Sequence, residues 1–166
     1  PFEEWFRIFA EEANQAVFSN GHQNKSLNLD AINVTGQYDL VYIDTPYISK
    51  QGVAVDYFDF YHFLEGLTIY DEWDKHIDHR SKHRRLKKQA NEWTDRSKIH
   101  NAFDNLFKKY QESIIVVSYR SDGIPSEREL FDILSKYKKV HVRHFGHYKY
   151  VLSNNNESKE ILLIGT

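Results

Sequence analysis

Apolar residues Trp5, Phe6, Phe9, Ala13 and Val17 recur at helical spacing near the start of the chain. The pattern predicts an amphipathic helix over residues 2–18. Asn20-Gly21 punctuates the chain after it. Residues 27–32 predict a short strand, and Gly36 marks a turn. Residues 38–43, Tyr-Asp-Leu-Val-Tyr-Ile, form a short apolar run whose length and flanks predict a buried parallel strand. Asp44 sits directly at its carboxyl end. Helices are predicted over residues 58–68 and 97–110, the second carrying Ile99, Phe103, Leu106 and Phe107 on one face. Residues 113–119 predict a second buried strand. Pro125-Ser126 opens a helix to about residue 136, with Ser126 as N-cap and Glu129 at the capping-box spacing. Residues 140–143, 148–152 and 160–164 predict closing strands, with Asn154-Asn155-Asn156 turning between the last two. Strand, helix, helix, strand, helix and strands in this order predict an α/β fold with a mostly parallel sheet.

A chain of 166 residues is long enough for one domain with a real core. Its net charge of -2 means that it is not a basic nucleic-acid binder as a whole, so any DNA contact must come from a local patch. The absence of cysteine excludes a thiol nucleophile, a disulfide frame and a cysteine zinc site, and fits a cytoplasmic protein. No apolar run approaches the roughly 20 residues of a membrane span, and no secretory signal is visible. Neither a membrane partner nor a metal is expected. The chain begins at Pro1 and contains no Met. It reads as a fragment, or as a chain whose methionines were changed or omitted.

The candidate chemistry centres on Asp44-Thr45-Pro46-Tyr47. In open α/β sheets, ligands bind outside the carboxyl ends of the strands. An exocyclic amino group offers two N–H donors. Asp44 can accept one, and a backbone carbonyl of the turn can accept the other. Pro46 fixes its own φ and stiffens the turn. Tyr47 can lay its ring on a base.

The tetrapeptide resembles the D-P-P-Y motif of amino-methyltransferases, which alkylate N6 of adenine or N4 of cytosine. Asn28-Leu29-Asp30-Ala31 resembles the N-x-D-A segment of the D12 class of adenine-specific DNA methyltransferases. Residues 57–67, including Tyr61-His62-Phe63-Leu64-Glu65, resemble the helix after the motif. Ser118-Tyr119-Arg120-Ser121-Asp122-Gly123 resembles the family's S-Y-x-S-x-G strand end. Tyr148-Lys149-Tyr150 and Glu160-Ile161-Leu162-Leu163-Ile164-Gly165 resemble its closing strands. Thr45 departs from the family by replacing the first proline, and no glycine-rich F-x-G-x-G segment is present.

The resemblance implies a Rossmann-like, S-adenosylmethionine-dependent methyltransferase fold with an antiparallel closing strand, incomplete at its N-terminus. Residues 1–166 would be its catalytic part. It also implies methyl transfer to N6 of a flipped adenine in DNA, with Asp44, Thr45, Pro46 and Tyr47 holding the base and Asp30 on the cofactor. Tyr148 and Tyr150 are candidate walls of the base pocket.

Residues 75–88 form a dense basic run, and Arg80, Lys82, Arg84, Arg85, Lys87 and Lys88 are candidate phosphate contacts. His76, His79 and His83 would share a face if the run were helical, but the surrounding cations disfavour a metal there. Ser118 has no G-x-S-x-G context and reads as structural. Two other readings stay open: an inactive or partial DNA-binding or assembly module of the same fold, and an N4-cytosine methyltransferase.

Overall fold

The structure is a computed structural model that describes residues 1–147 and 158–166. The chain divides into two compact units, Pro1–Asp30 and Ala31–Thr166. In the first, helix α1 spans Phe2–Gln15. Its apolar residues stack along one side, Phe2 on Phe6 at 6.1 Å and Trp5 on Phe9 at 5.8 Å, as i,i+4 neighbours do. The chain then tightens at Val17, whose N–H bonds to the Asn14 carbonyl. Residues 27–30 carry no strand, and a 3₁₀ turn follows at Ala31–Asn33. A strand there would need a ladder partner. Instead the carbonyls of the 31–34 segment accept bonds from the Lys109 ammonium and the Tyr110 hydroxyl.

The second unit is built on a four-stranded sheet. Strands β1 (Leu40–Asp44), β3 (Ile114–Arg120), β5 (Val140–His147) and β6 (Lys159–Gly165) are ordered β1-β3-β6-β5. β1 and β3 run parallel, and β6 runs antiparallel to both β3 and β5. β1, β3 and β5 therefore share one direction, and the last strand inserts against it. The result is a mixed α/β sheet: the α/β class is as expected, but one pairing is parallel and two are antiparallel, where a mostly parallel sheet was expected. The further closing strand expected at 148–152 and the turn at 154–156 lie outside the described residues.

Helices α5 (Ile99–Lys109) and α6 (Glu127–Leu134) cover one face of the sheet. Ile99, Phe103, Leu106 and Phe107 of α5 meet Ile43, Ile115, Val117, Tyr119, Ile161 and Leu163 from the strands, with Leu130 and Leu134 of α6 closing the layer. Burying one Leu, Ile or Phe side chain stabilises by about 1.5–3 kcal/mol, so this layer is what fixes the strand ends. α6 starts with the expected capping box, Ser126 and Glu129 each bonding the other's backbone N–H.

Two further expectations hold only in part. β1 is parallel, as expected, but it is not buried. It lies at the sheet edge, and Leu40 and Tyr42 are 53% and 56% exposed. Its apolar run is real on both faces, but α5 covers only the side bearing Val41 and Ile43. The helix expected over 58–68 is split into α2 (Tyr57–Phe60) and α3 (His62–Thr68). The break falls at Tyr61, which leaves the helical region at φ -113°, ψ 26° within an aromatic run of weak helix formers. Among the described residues no helix is long and apolar enough to cross a membrane.

Candidate functional site

Asp44 is the last residue of β1, in register with Ser118 of β3. The chain leaves the sheet there and makes a tight hairpin. Strand β2 (Ile48–Ser49) pairs with Ala54 within the hairpin and with β4 (Gly123–Ile124) across it. The Val55 N–H bonds to the Tyr47 carbonyl at 3.0 Å, and Gly52 turns the tip at φ +79°, where glycine carries no steric cost. Ile48 is fully buried and pins the hairpin to the core.

This frame gives Tyr47 two bonds to the site. Its hydroxyl donates to Asp44 Oδ1 at 3.0 Å. Its ring stands edge-on to Tyr119, with centroids 5.2 Å apart and planes at 90°. Tyr119 is itself buried, and burial pushes its phenol up to about 12. Tyr47 is therefore anchored through its ring and donates a hydrogen bond to the carboxylate. Among the described residues no hydrogen bond reaches Asp44 Oδ2, so the carboxylate keeps an acceptor available.

A cavity of about 280 Å³ opens beside this carboxylate. Asp44, Thr45 and Pro46 form one wall, and Trp93, Leu106 and Tyr110 another. Ala31 and Val34 close it, held by the bonds from Lys109 and Tyr110. Trp93 is fixed by an edge-on contact with Phe103 at 5.2 Å. The Thr45 hydroxyl oxygen is buried and has no hydrogen-bond partner among the described residues. Ligand pockets begin at about 300 Å³, so this one suits a single ring or a side arm rather than a whole nucleotide.

Tyr57 lies near enough to Asp44 to feel its charge, and Tyr61 stacks on Tyr57; neither was singled out as a site residue from the sequence. Asp56 caps α2 by accepting from the Phe58 N–H at 2.9 Å. Tyr57 then stacks on Tyr61 with centroids 5.4 Å apart and planes at 20°. Burial raises the Tyr57 phenol, and the Asp44 carboxylate and the Tyr61 phenol push it the same way. Their i,i+4 spacing was the available signal; the hairpin that returns them to Asp44 was not readable. Asp30 is exposed and ends the first unit, one residue before Ala31 of the cavity. Tyr148 and Tyr150 lie outside the described residues.

The basic run is not a helix. Helix α4 stops at His76 (Trp73–His76), and Ile77 then bridges antiparallel to Leu86. Residues 79–84 form the turn, with Arg84 at φ +52°. His76, His79 and His83, which would share a face only on a helix, are therefore not aligned on one. A strand-like return wins because Leu86 is buried and its N–H bonds to the Phe58 carbonyl, which pulls the run onto the body.

The six cations divide by what they touch. Arg85 pairs with Asp59 at 2.8 Å, and Arg80 with Asp78 at 3.0 Å. Arg84 donates to the His79 carbonyl and Lys87 to the Lys75 carbonyl. Lys82 and Lys88 are exposed and make no ion pair among the described residues. Ser118, taken as structural, is buried and donates to Glu160 at 2.9 Å.

Comparison with known proteins reaches almost the whole chain. It is 30% identical over 161 residues to modification methylase StsI of Streptococcus sanguinis, covering 87% of this chain and 22% of that protein. It is 28% identical over 150 residues to the type II methyltransferase M.FokI of Planomicrobium okeanokoites, covering 87% and 22%. It is 28% identical over 170 residues to the type II methyltransferase M2.HphI of Haemophilus parahaemolyticus, covering 98% and 45%. The chain thus spans about a fifth to under half the length of these relatives. No family profile and no solved structure matches it. The likeness to DNA methyltransferases, expected from the motifs, is found at that level.

Proposed function

We propose that residues 1–166 are the catalytic part of an adenine-specific DNA methyltransferase, with a Rossmann-like fold, and that Asp44-Thr45-Pro46-Tyr47 holds the flipped base. The observation that carries the reading is the Asp44 carboxylate at a strand's carboxyl end, steadied by Tyr47 and facing a cavity of single-ring size. The names of the relatives, modification methylases and type II methyltransferases, support it.

The amino nitrogen of adenine is a poor nucleophile because its lone pair is delocalised into the ring. Asp44 accepts one amino N–H and a carbonyl of the 45–46 turn accepts the other, which localises the pair on nitrogen. Positive charge develops there during methylation, and the Asp44 carboxylate stabilises it electrostatically. Tyr47 keeps that carboxylate aimed and offers a ring to the base. Alignment of nitrogen and methyl supplies much of the remaining rate.

S-adenosylmethionine, when bound, supplies the electrophilic methyl group. The cavity takes a side arm of such a donor, with Thr45 and Pro46 beside it. Asp30 is proposed as a cofactor contact on the strength of the N-x-D-A resemblance alone. DNA reaches the site through phosphate contacts of the 79–88 segment, where Lys82 and Lys88 are exposed and make no ion pair among the described residues.

The test is product analysis. The intact protein is incubated with DNA and labelled methyl donor, and the nucleosides are separated. N6-methyladenine is expected. N4-methylcytosine would move the activity to cytosine, and no methylated nucleoside would replace the enzyme with a binding or assembly module.

A further inference from the structure

Three buried side-chain atoms lack a hydrogen-bond partner among the described residues: Thr45 Oγ1, His62 Nδ1 and Trp73 Nε1. Thr45 is the one that lines the cavity beside Asp44. A buried hydroxyl without a partner destabilises the protein that carries it. Its persistence beside the carboxylate asks what it meets when the cavity is filled. The side chain has one O–H donor and acceptor lone pairs, and its staggered χ1 wells exchange Oγ1 with Cγ2. Thr45 as a residue is only half-buried. One rotation can therefore deliver the hydroxyl from its buried position to a ligand.

We propose that Thr45 is a specificity-determining residue whose hydroxyl donates a hydrogen bond to the ring nitrogen beside the amino group that Asp44 holds. The proposal rests on the amino-group-binding reading above. Asp44 is an acceptor and Thr45, the next residue, is a donor. Adenine presents N6–H₂ beside ring nitrogens N1 and N7, both acceptors; cytosine presents N4–H₂ beside N3. A donor next to an acceptor matches that edge. Thymine offers the reverse, a carbonyl oxygen beside an N–H, and guanine does so on its N1 side. Against them Asp44 would face an oxygen lone pair. Thr45 thus turns a carboxylate that holds any amino group into a reader of amino groups flanked by an acceptor ring nitrogen.

The test uses the intact protein, with Asp44→Ala, Thr45→Val and Thr45→Ser variants, on duplexes carrying its own target base. The base is adenine, 1-deazaadenine or 7-deazaadenine. Thr45→Val removes the hydroxyl at constant shape. It is expected to lower kcat/KM on adenine about three- to tenfold, with Thr45→Ser restoring most of the loss. The melting temperature of Thr45→Val should equal or exceed that of the wild type, because the lost hydroxyl had no partner in the free protein. One deaza base should cost the wild type a similar factor and cost Thr45→Val nothing further, since bond and acceptor are lost together.

Losses that multiply on both analogues overturn the proposal, and so does a Thr45→Val protein that melts lower. If Asp44→Ala turns over like the wild type, the methyl-transfer reading itself fails. If Asp44→Ala is inactive while Thr45→Val behaves as wild type, only the role of the hydroxyl is lost.

Discussion

Replacing Tyr47 separates a ring from a hydroxyl that the sequence alone treats as one platform. The hydroxyl donates to Asp44 Oδ1 at 3.0 Å, and the ring stands edge-on to Tyr119 at 5.2 Å. Tyr47→Phe removes the hydroxyl bond and keeps both ring faces. Asp44 is exposed, so that bond contributes about 1 kcal/mol rather than the larger figure for a buried charged acceptor. A fall in kcat/KM of about fivefold follows, with a melting temperature lower by no more than about 2–4 °C. Tyr47→Ala also removes the stacking surface, for a further 1–3 kcal/mol or so on the bound base. It deletes the edge-on contact as well, about 0.5–1.5 kcal/mol of folding stability. The alanine variant should therefore be about tenfold to a hundredfold slower again, and should melt a few degrees lower. Tritium-methyl incorporation into DNA and thermal unfolding of both variants measure the two effects. A phenylalanine variant with wild-type turnover would show that the hydroxyl does not aim the carboxylate. An alanine variant no slower than phenylalanine would remove stacking from the account.

Charge reversal of Lys82 and Lys88 together should reduce the salt slope of DNA binding by nearly two units without changing the melting temperature; an unchanged slope would make the 79–88 turn a solvated surface. Arg85→Ala should instead lower stability and leave the slope near that of the wild type, because Arg85 is committed to Asp59 and Asp78. Asp122 should show up in acid: its bond from Arg120 holds the carboxyl at about 2, below the usual carboxylate range. A lowered folded value stabilises above the ordinary carboxylate range and is lost as pH falls through about 2, so the advantage of wild type over Asp122→Asn should shrink from about 1 kcal/mol at pH 6 to near zero at pH 2. Urea unfolding across that span reads it, and a constant gap would contradict it.

The parts of the fold set by local rules were legible in the sequence. The apolar stripe of α5 and the Ser126–Glu129 capping box each depend on spacing within one helix. Asp44 at a strand end was legible for the same reason, since the apolar run that precedes it ends at a carboxylate and a proline. What was not legible depends on distant partners. β1 reads as buried from its residues, but its position at the sheet edge is decided by which strands pair. The residues of the basic run do not decide between a helix and a loop, and the buried Leu86, with its N–H on the Phe58 carbonyl, decides it. Tyr57 carries a modest i,i+4 signal with Tyr61, and only the 47–55 hairpin returns it to Asp44. The Tyr47 hydroxyl bond and the unpaired Thr45 hydroxyl are matters of side-chain geometry that no spacing reveals.

The account rests most directly on Asp44. The decisive measurement is methyl incorporation into DNA by the intact protein carrying Asp44→Ala, alongside its melting curve. Asp44 is exposed, so the variant should melt within a degree or two of the wild type. Methyl transfer should nonetheless be abolished, because the acceptor that localises charge on the amino nitrogen is gone. A folded Asp44→Ala protein that methylates DNA at the wild-type rate would contradict the assignment of this site.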